Sequence, residues 1–157
     1  MGCIKTNGTL WQWGRNQYGQ LGQNSTNPGY SSPVQIPGSW SQSCGTHNGT
    51  LAVKTDGTLW AWGKSQVGCL GLNVDDEDRS SPTQLPGTNW ATVDAGYTNS
   101  VYATKTDGTA WAWGYNENGQ LGDNSKTNRS SPIQIPGTTW GSIAAGEYNG
   151  FGLQKAG

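Results

Sequence analysis

Hydrophobic residues in this chain come in bursts of a few positions, set apart by stretches rich in Gly, Asn, Ser and Thr. No burst has helical spacing over a useful length, and none approaches the roughly 20 apolar residues of a membrane-crossing helix. The clearest burst is Leu59-Trp60-Ala61-Trp62-Gly63, where large and small residues alternate. Side chains of a strand point alternately to two faces, so Trp60 and Trp62 share one face while Leu59, Ala61 and Gly63 lie on the other. Thr55-Asp56-Gly57-Thr58 comes just before, and Asp-Gly is a strong hairpin signal. Two antiparallel strands are therefore expected, from Leu51 to Lys54 and from Leu59 to Trp62.

The same pattern is written three times. KTNGTLWQWG, KTDGTLWAWG and KTDGTAWAWG begin at Lys5, Lys54 and Lys105. Around them recur S-S-P-x-Q, starting at Ser31, Ser80 and Ser130, and a Pro-Gly element ending at Trp40, Trp90 and Trp140. Small-Gly pairs follow at Cys44-Gly45, Ala95-Gly96 and Ala145-Gly146, and successive copies lie 49 to 51 residues apart. A period near 50 made of short strands predicts propeller blades. The expectation is an all-β, propeller-type array of about three blades of short antiparallel strands, incomplete as a single chain. Residues 1–157 form one array, with copies at approximately 5–53, 54–104 and 105–154 and a partial overhang to 157. No linker divides them.

Blades stack face to face, so a large side chain on one needs a small one on its neighbour. Trp11, Trp13, Trp60, Trp62, Trp111 and Trp113 are expected to be the glue between blades, with Ala52, Ala61, Ala103 and Ala112 supplying the small partner surface. A tryptophan fully covered this way contributes on the order of 2–3 kcal/mol.

Composition adds exclusions. Nine Trp and six Tyr argue against disorder, and 25 Gly agree with many turns. With 9 Lys plus Arg against 10 Asp plus Glu, the net charge is −1 and there is no basic excess for nucleic acid. The N-terminal residues lack the apolar stretch of a signal peptide. Three widely spaced cysteines make neither a disulfide framework nor a metal site; Cys3 and Cys44, matching alanines of other copies, are expected to be small and buried, and Cys69 inert.

The elements GTLWQWGRNQYGQLG (Gly8 to Gly22), GTLWAWGKSQVGCLG (Gly57 to Gly71) and GTAWAWGYNENGQLG (Gly108 to Gly122) resemble the regulator of chromosome condensation repeat family. The middle copy departs from its pattern at Ser65 and Cys69. The resemblance covers essentially the whole chain and implies a β-propeller, usually closed by about seven blades. Many family blades place a His after the Ala-Gly pair; here Asn48, Asn99 and Asn149 stand in that neighbourhood, and the single histidine, His47, is expected to cap a loop.

Catalytic constellations are missing: there is one His, no nucleophile elbow, no zinc-protease motif and no phosphate loop. The acidic run from Asp75 to Asp78 lacks calcium-loop spacing and is expected to be a solvated loop. No cofactor and no metal are expected. What varies between copies is the loops, and a fixed frame with varied loops suits binding. Arg15, Tyr18, Tyr30, Lys64 and Tyr115, with Trp40, Trp90 and Trp140 after their Pro-Gly pairs, are the binding candidates.

The expected function is a non-catalytic module for protein binding or structural assembly. The partner is another protein or further copies of the chain, as a homo-oligomer or as part of a longer propeller. Its Asn- and Gly-rich, nearly neutral style is similar to repeats of phage or bacterial surface proteins, which makes the expected setting extracellular or virion-associated. A lectin reading sugars with exposed Trp and Tyr is the alternative, and a tryptophan photosensor ranks last.

Overall fold

The computed structural model describes residues 2–154. Among these residues thirteen strands form four antiparallel sheets. The first sheet holds β1 (Gly2–Ile4), β2 (Leu10–Arg15) and β3 (Gly29–Ile36). The second runs β4 (Trp40–Gly45), β5 (Gly49–Lys54), β6 (Leu59–Gly63) and β7 (Arg79–Gln84), each strand beside the next. The third repeats that order with β8 (Trp90–Ala95), β9 (Ser100–Lys105), β10 (Ala110–Gly114) and β11 (Arg129–Ile135). The fourth pairs β12 (Trp140–Ala145) with β13 (Gly150–Gln154). Two complete blades are thus flanked by partial ones. Among the described residues no helix is long and apolar enough to cross a membrane.

Sequence copies and sheets are out of phase. Counted by the four-strand order of the complete sheets, in which β1, β2 and β3 hold the second to fourth places, each copy starts at a third strand and ends at the second strand of the next sheet, so three copies appear as four sheets. The Asp-Gly and Asn-Gly hairpins explain the phase: they join the second strand to the third, in the middle of a sheet rather than at its border. Gly8, Gly57 and Gly108 take φ of 80°, 79° and 84° there, which a side chain would strain.

The core lies between sheets. Leu10 and Ile36 of the first sheet pack against Trp40, Ala52 and Trp62 of the second. Leu51, Val53, Leu59 and Ala61 of the second pack against Trp90, Val93, Ala103 and Trp113 of the third. Tyr102, Ala112 and Leu121 form a smaller third cluster with half-buried Ile135, Ile143 and Ala145. The tryptophan face of each sheet therefore meets the Leu/Ala face of the one before. Ala61 and Ala112 lie on that opposite face, whereas Ala52 and Ala103 pair with Trp60 and Trp111 and make room beside them.

The first strands approach one another, β4 against β8 and β8 against β12. Gln42 Oε1 accepts the Val93 N–H at 3.0 Å and Asp94 Oδ2 accepts that of Ala145 at 2.9 Å, tying these strands across sheets. Register corrects one cysteine assignment. Cys44 pairs with Leu51 as Asp94 pairs with Tyr102 and Ala144 with Phe151, so it stands in for Asp94 and Ala144 and not for Ala95 and Ala145. It is half-buried, and Cys3 is exposed because its sheet has only β2 and β3 beside it among the described residues.

Candidate binding face

Antiparallel neighbours in chain order place successive connections at alternate ends of the sheets. The long loops 16–28, 64–78 and 115–128 therefore share one end with the short turns before β5, β9 and β13. Arg15, Tyr18, Lys64 and Tyr115 all lie at this end, with Tyr30 at the start of β3. The N-x-x-G-Q-L-G element holds the loops: buried Asn16 accepts the Leu21 N–H at 2.9 Å and donates to the Ser25 carbonyl at 2.9 Å. Asn116 repeats this with Leu121 and Ser125. In the middle copy, where Ser65 replaces Asn, Asp78 Oδ1 accepts the Ser65 N–H at 3.0 Å as Asn128 Oδ1 accepts that of Asn116 at 2.7 Å, and Glu77 pairs with Arg79 at 2.6 Å. All four carboxylates of the run are exposed, as expected of a solvated loop.

Two loops converge on Tyr18. The Lys64 Nζ lies 4.9 Å from its ring centre and the Arg15 guanidinium 5.7 Å, so cations from adjacent sheets flank one aromatic ring. Beside it opens a cleft of about 430 Å³ lined by Gln12, Arg15, Gln20, Cys44, His47 and Thr50, among others. His47 sits in the turn before β5, its N–H on Asn99 Oδ1 at 3.3 Å and its ring edge-on to Tyr97 at 4.7 Å. Tyr97 and Tyr148 are 66% and 54% exposed, continuing the aromatic surface toward the third and fourth sheets. Tyr115 donates to Glu117 at 3.1 Å, which gives that side an acidic character. Tyr97 and Tyr148 were not singled out by the loop comparison, because they sit in the short turns and not in the long loops. Among the described residues no group of three His, Cys, Asp or Glu is placed to hold a metal ion.

The tryptophans divide differently from expectation. Trp40 and Trp90, expected among the loop binders, are 1% and 3% exposed and lie between sheets, while Trp140 is half-buried. Each opens the first strand of a sheet, and packing against the W-x-W pair draws it inward: Trp40 to Trp62 at 5.7 Å, Trp90 to Trp111 at 6.0 Å and to Trp113 at 6.2 Å.

Within the W-x-W pairs the second residues Trp62 and Trp113 are fully buried. Each indole N–H reaches back to a main-chain carbonyl of the preceding sheet, Gln20 or Cys69, at 3.0 Å. Trp13, in the same position on β2, is half-buried.

The first residues, Trp11, Trp60 and Trp111, are half-buried and belong to a local network. Their indole N–H groups donate to Thr9, Thr58 and Thr109 at 3.0, 2.8 and 3.0 Å. Those hydroxyls donate to Asn7, Asp56 and Asp107, and Lys5, Lys54 and Lys105 lie over the rings at 4.2, 3.9 and 4.6 Å. The recurring Lys and Thr of the ten-residue element were the signal for this network, legible from their fixed spacing to Trp.

Comparison with known proteins places this geometry. The family model described as the regulator of chromosome condensation (RCC1) repeat matches residues 7–53, 56–103 and 107–153, and a second model of the same description matches residues 90–120. Among solved structures, human WBSCR16 superposes with a TM-score of 0.85 at 20% identity, over 99% of this chain and 42% of its own. Prp20p from Saccharomyces cerevisiae superposes at 0.82 with 18% identity, again over 99% and 42%. Yeast RCC1 (Prp20) in a crystal with Kap60 bound gives 0.82 at 19% identity, over 99% and 40%. The chain thus spans about two fifths of the length of the structures it matches. Comparison with curated protein sequences gives no significant match.

Proposed function

The chain belongs to the regulator of chromosome condensation repeat family, and from that membership we propose that it is a non-catalytic propeller module that binds a protein partner through the sheet end carrying Tyr18, Tyr97 and Tyr148. The observation behind this reading is the Arg15–Tyr18–Lys64 cluster beside an open cleft, contributed by two different sheets. Tyr and Arg are the residue types that concentrate binding energy at protein interfaces. Prp20p was described with its binding to Gsp1p and histones, and yeast RCC1 with bound Kap60, so protein recognition is at home on this frame. The same reading extends to structural assembly on a phage or bacterial surface, which rests on composition. The sugar-binding alternative loses two of its stacking platforms, since Trp40 and Trp90 are buried.

The test compares two ends of one molecule. Immobilised chain is used to capture proteins, and each captured protein is purified and titrated against an R15A/Y18A/K64A variant and against Asp107→Asn at the opposite end. Loss of binding only in the triple variant is expected. A partner that ignores the triple variant, or a glycan array that lights up where proteins do not bind, would overturn the reading.

A further inference from the structure

Trp40, Trp90 and Trp140 open β4, β8 and β12 in the same way, yet their indole N–H groups end differently. Trp40 Nε1 donates to the Ile36 carbonyl, four residues back, at 3.4 Å. Trp90 Nε1 and Trp140 Nε1 are buried and have no partner among the described residues. One added residue separates the cases. The first copy reads Pro37-Gly38-Ser39-Trp40, whereas the later ones read Pro86-Gly87-Thr88-Asn89-Trp90 and Pro136-Gly137-Thr138-Thr139-Trp140. Asn89 and Thr139 take φ of 66° and 72°, a left-handed step just before the tryptophan that sets the Pro-Gly corner farther off. A Cβ on Gly38 would stand 3.2 Å from its indole nitrogen, against 3.7 Å on Gly87 and 3.5 Å on Gly137.

At Trp90 a cation joins the orphan donor. Lys105 Nζ lies 4.6 Å from the ring centres of both Trp90 and Trp111, whose rings stand 6.0 Å apart, edge to face. The ammonium and the indole nitrogen border the same space over Gly87. A Cβ there would stand 3.5 Å from Lys105 Nζ and 3.7 Å from Trp90 Nε1, and among the described residues it would meet nothing else within 4 Å beyond its chain neighbours. No carboxylate of the described residues lies within 4 Å of this ammonium. Asp107, in the turn that follows, has its Oδ1 taken up by the N–H and hydroxyl of Thr109 at 2.9 and 2.7 Å. Trp90 is buried, Lys105 half-buried and Gly87 exposed, so the corner is closed at its floor and open at its mouth. These groups belong to the third sheet and to its link from the second, with sheets on both sides.

We propose that the corner over Gly87 is a carboxylate-binding site for an acidic peptide segment, one carboxylate accepting from the Trp90 indole N–H and the Lys105 ammonium together. Two donors meet the two oxygens of a carboxylate, and one ammonium balances its single charge, whereas a phosphate dianion would be left half neutralised. An indole N–H held from water without an acceptor is costly, and the ligand supplies that acceptor. Lysine is the movable part of the cover, because its flexible four-carbon stem lets the ammonium swing to the incoming group and uncover the indole edge. The carboxylate comes on a peptide because residues 86–89 beside it are exposed and offer a chain further contact. The first copy lacks the site: Ile36 already occupies its indole, and Lys54 turns its Cε toward Gly38, at 3.3 Å from a Cβ there. The corner lies at the end away from Tyr18 and is independent of the binding face proposed above.

Heteronuclear NMR of the nine tryptophan indole N–H groups tests this directly. Trp90→Phe identifies the Trp90 resonance by its loss. Labelled wild type is titrated at fixed ionic strength with capped tetraglutamate, with capped tetraglutamine as the neutral counterpart and inorganic phosphate as the other anion. A saturable downfield movement of the Trp90 resonance is expected with tetraglutamate alone. Lys105→Met keeps a stem over the rings but removes the charge, and should weaken binding roughly tenfold or more, as loss of a charged hydrogen bond does. Lys54→Met removes the same charge in the copy whose indole is already bonded, and should leave the affinity unchanged. Circular dichroism checks that each variant is folded. A Trp90 resonance that stays still, one that moves as readily with tetraglutamine or phosphate, or equal binding by Lys105→Met and wild type would overturn the proposal.

Discussion

At the scale of single residues, the ten-residue element holds its first tryptophan in a short chain of hydrogen bonds. Thr58 accepts from the indole of Trp60 and donates to Asp56, so Thr58→Val should destabilise the protein by about 1–2 kcal/mol in urea unfolding, having removed two partners at once. The Asp56 and Asp107 carboxyls are held below the usual carboxylate range, first by hydrogen bonds from Thr58 and Thr109. A depressed folded pKa contributes stability that is present above the unfolded value and lost as pH falls through the folded one. Urea stability should therefore hold at neutral pH and decline in acid. The D56N/D107N double variant, which copies Asn7 of the first repeat, should decline less there while keeping its fold. The cysteines sort by position in the same way. Burial pushes the Cys69 thiol up to about 11, and Cys44 is raised by burial and by Asp94, whereas Cys3 is exposed. A thiol reagent should thus label Cys3 in the native protein well before the other two. The turns and the Trp pairs were legible in the sequence because hairpin chemistry and strand alternation are local. The burial of Trp40 and Trp90 was not, because it depends on which sheet lies alongside.

Elements are joined by glycines whose importance depends on the neighbouring sheet. Gly71 has φ 71° and its Cβ direction is filled by Trp113 and Leu85, so Gly71→Ala adds overpacking to left-handed strain and should cost roughly 2–4 kcal/mol. Gly122 has nearly the same φ, 69°, with open space before it; Gly122→Ala should cost only about 1–2 kcal/mol from strain. Urea midpoints of the two variants check the difference. In the sequence these glycines are equivalent, and only the presence or absence of a facing strand separates them. The same holds for the candidate face. Arg15, Tyr18 and Lys64 could be named from loop variation, but their convergence across two sheets, and the addition of His47 and Tyr97, required the register of the strands.

Over the whole molecule, stability is unevenly spread. The largest core cluster sits between the second and third sheets, while the fourth sheet has two strands, with β13 exposed along its length. Amide hydrogen exchange should be slowest in β5, β6, β9 and β10 and fastest in β12 and β13, since protection follows buried contact. The stagger between copies and sheets carries a different kind of consequence, one that concerns inheritance. Each 50-residue unit completes one blade and begins the next, so an unequal crossover between copies splices a third strand onto a second strand it already fits. Whole units can then be gained or lost by recombination without a mismatched sheet at the junction, and copy number becomes free to change while every internal joint stays the same.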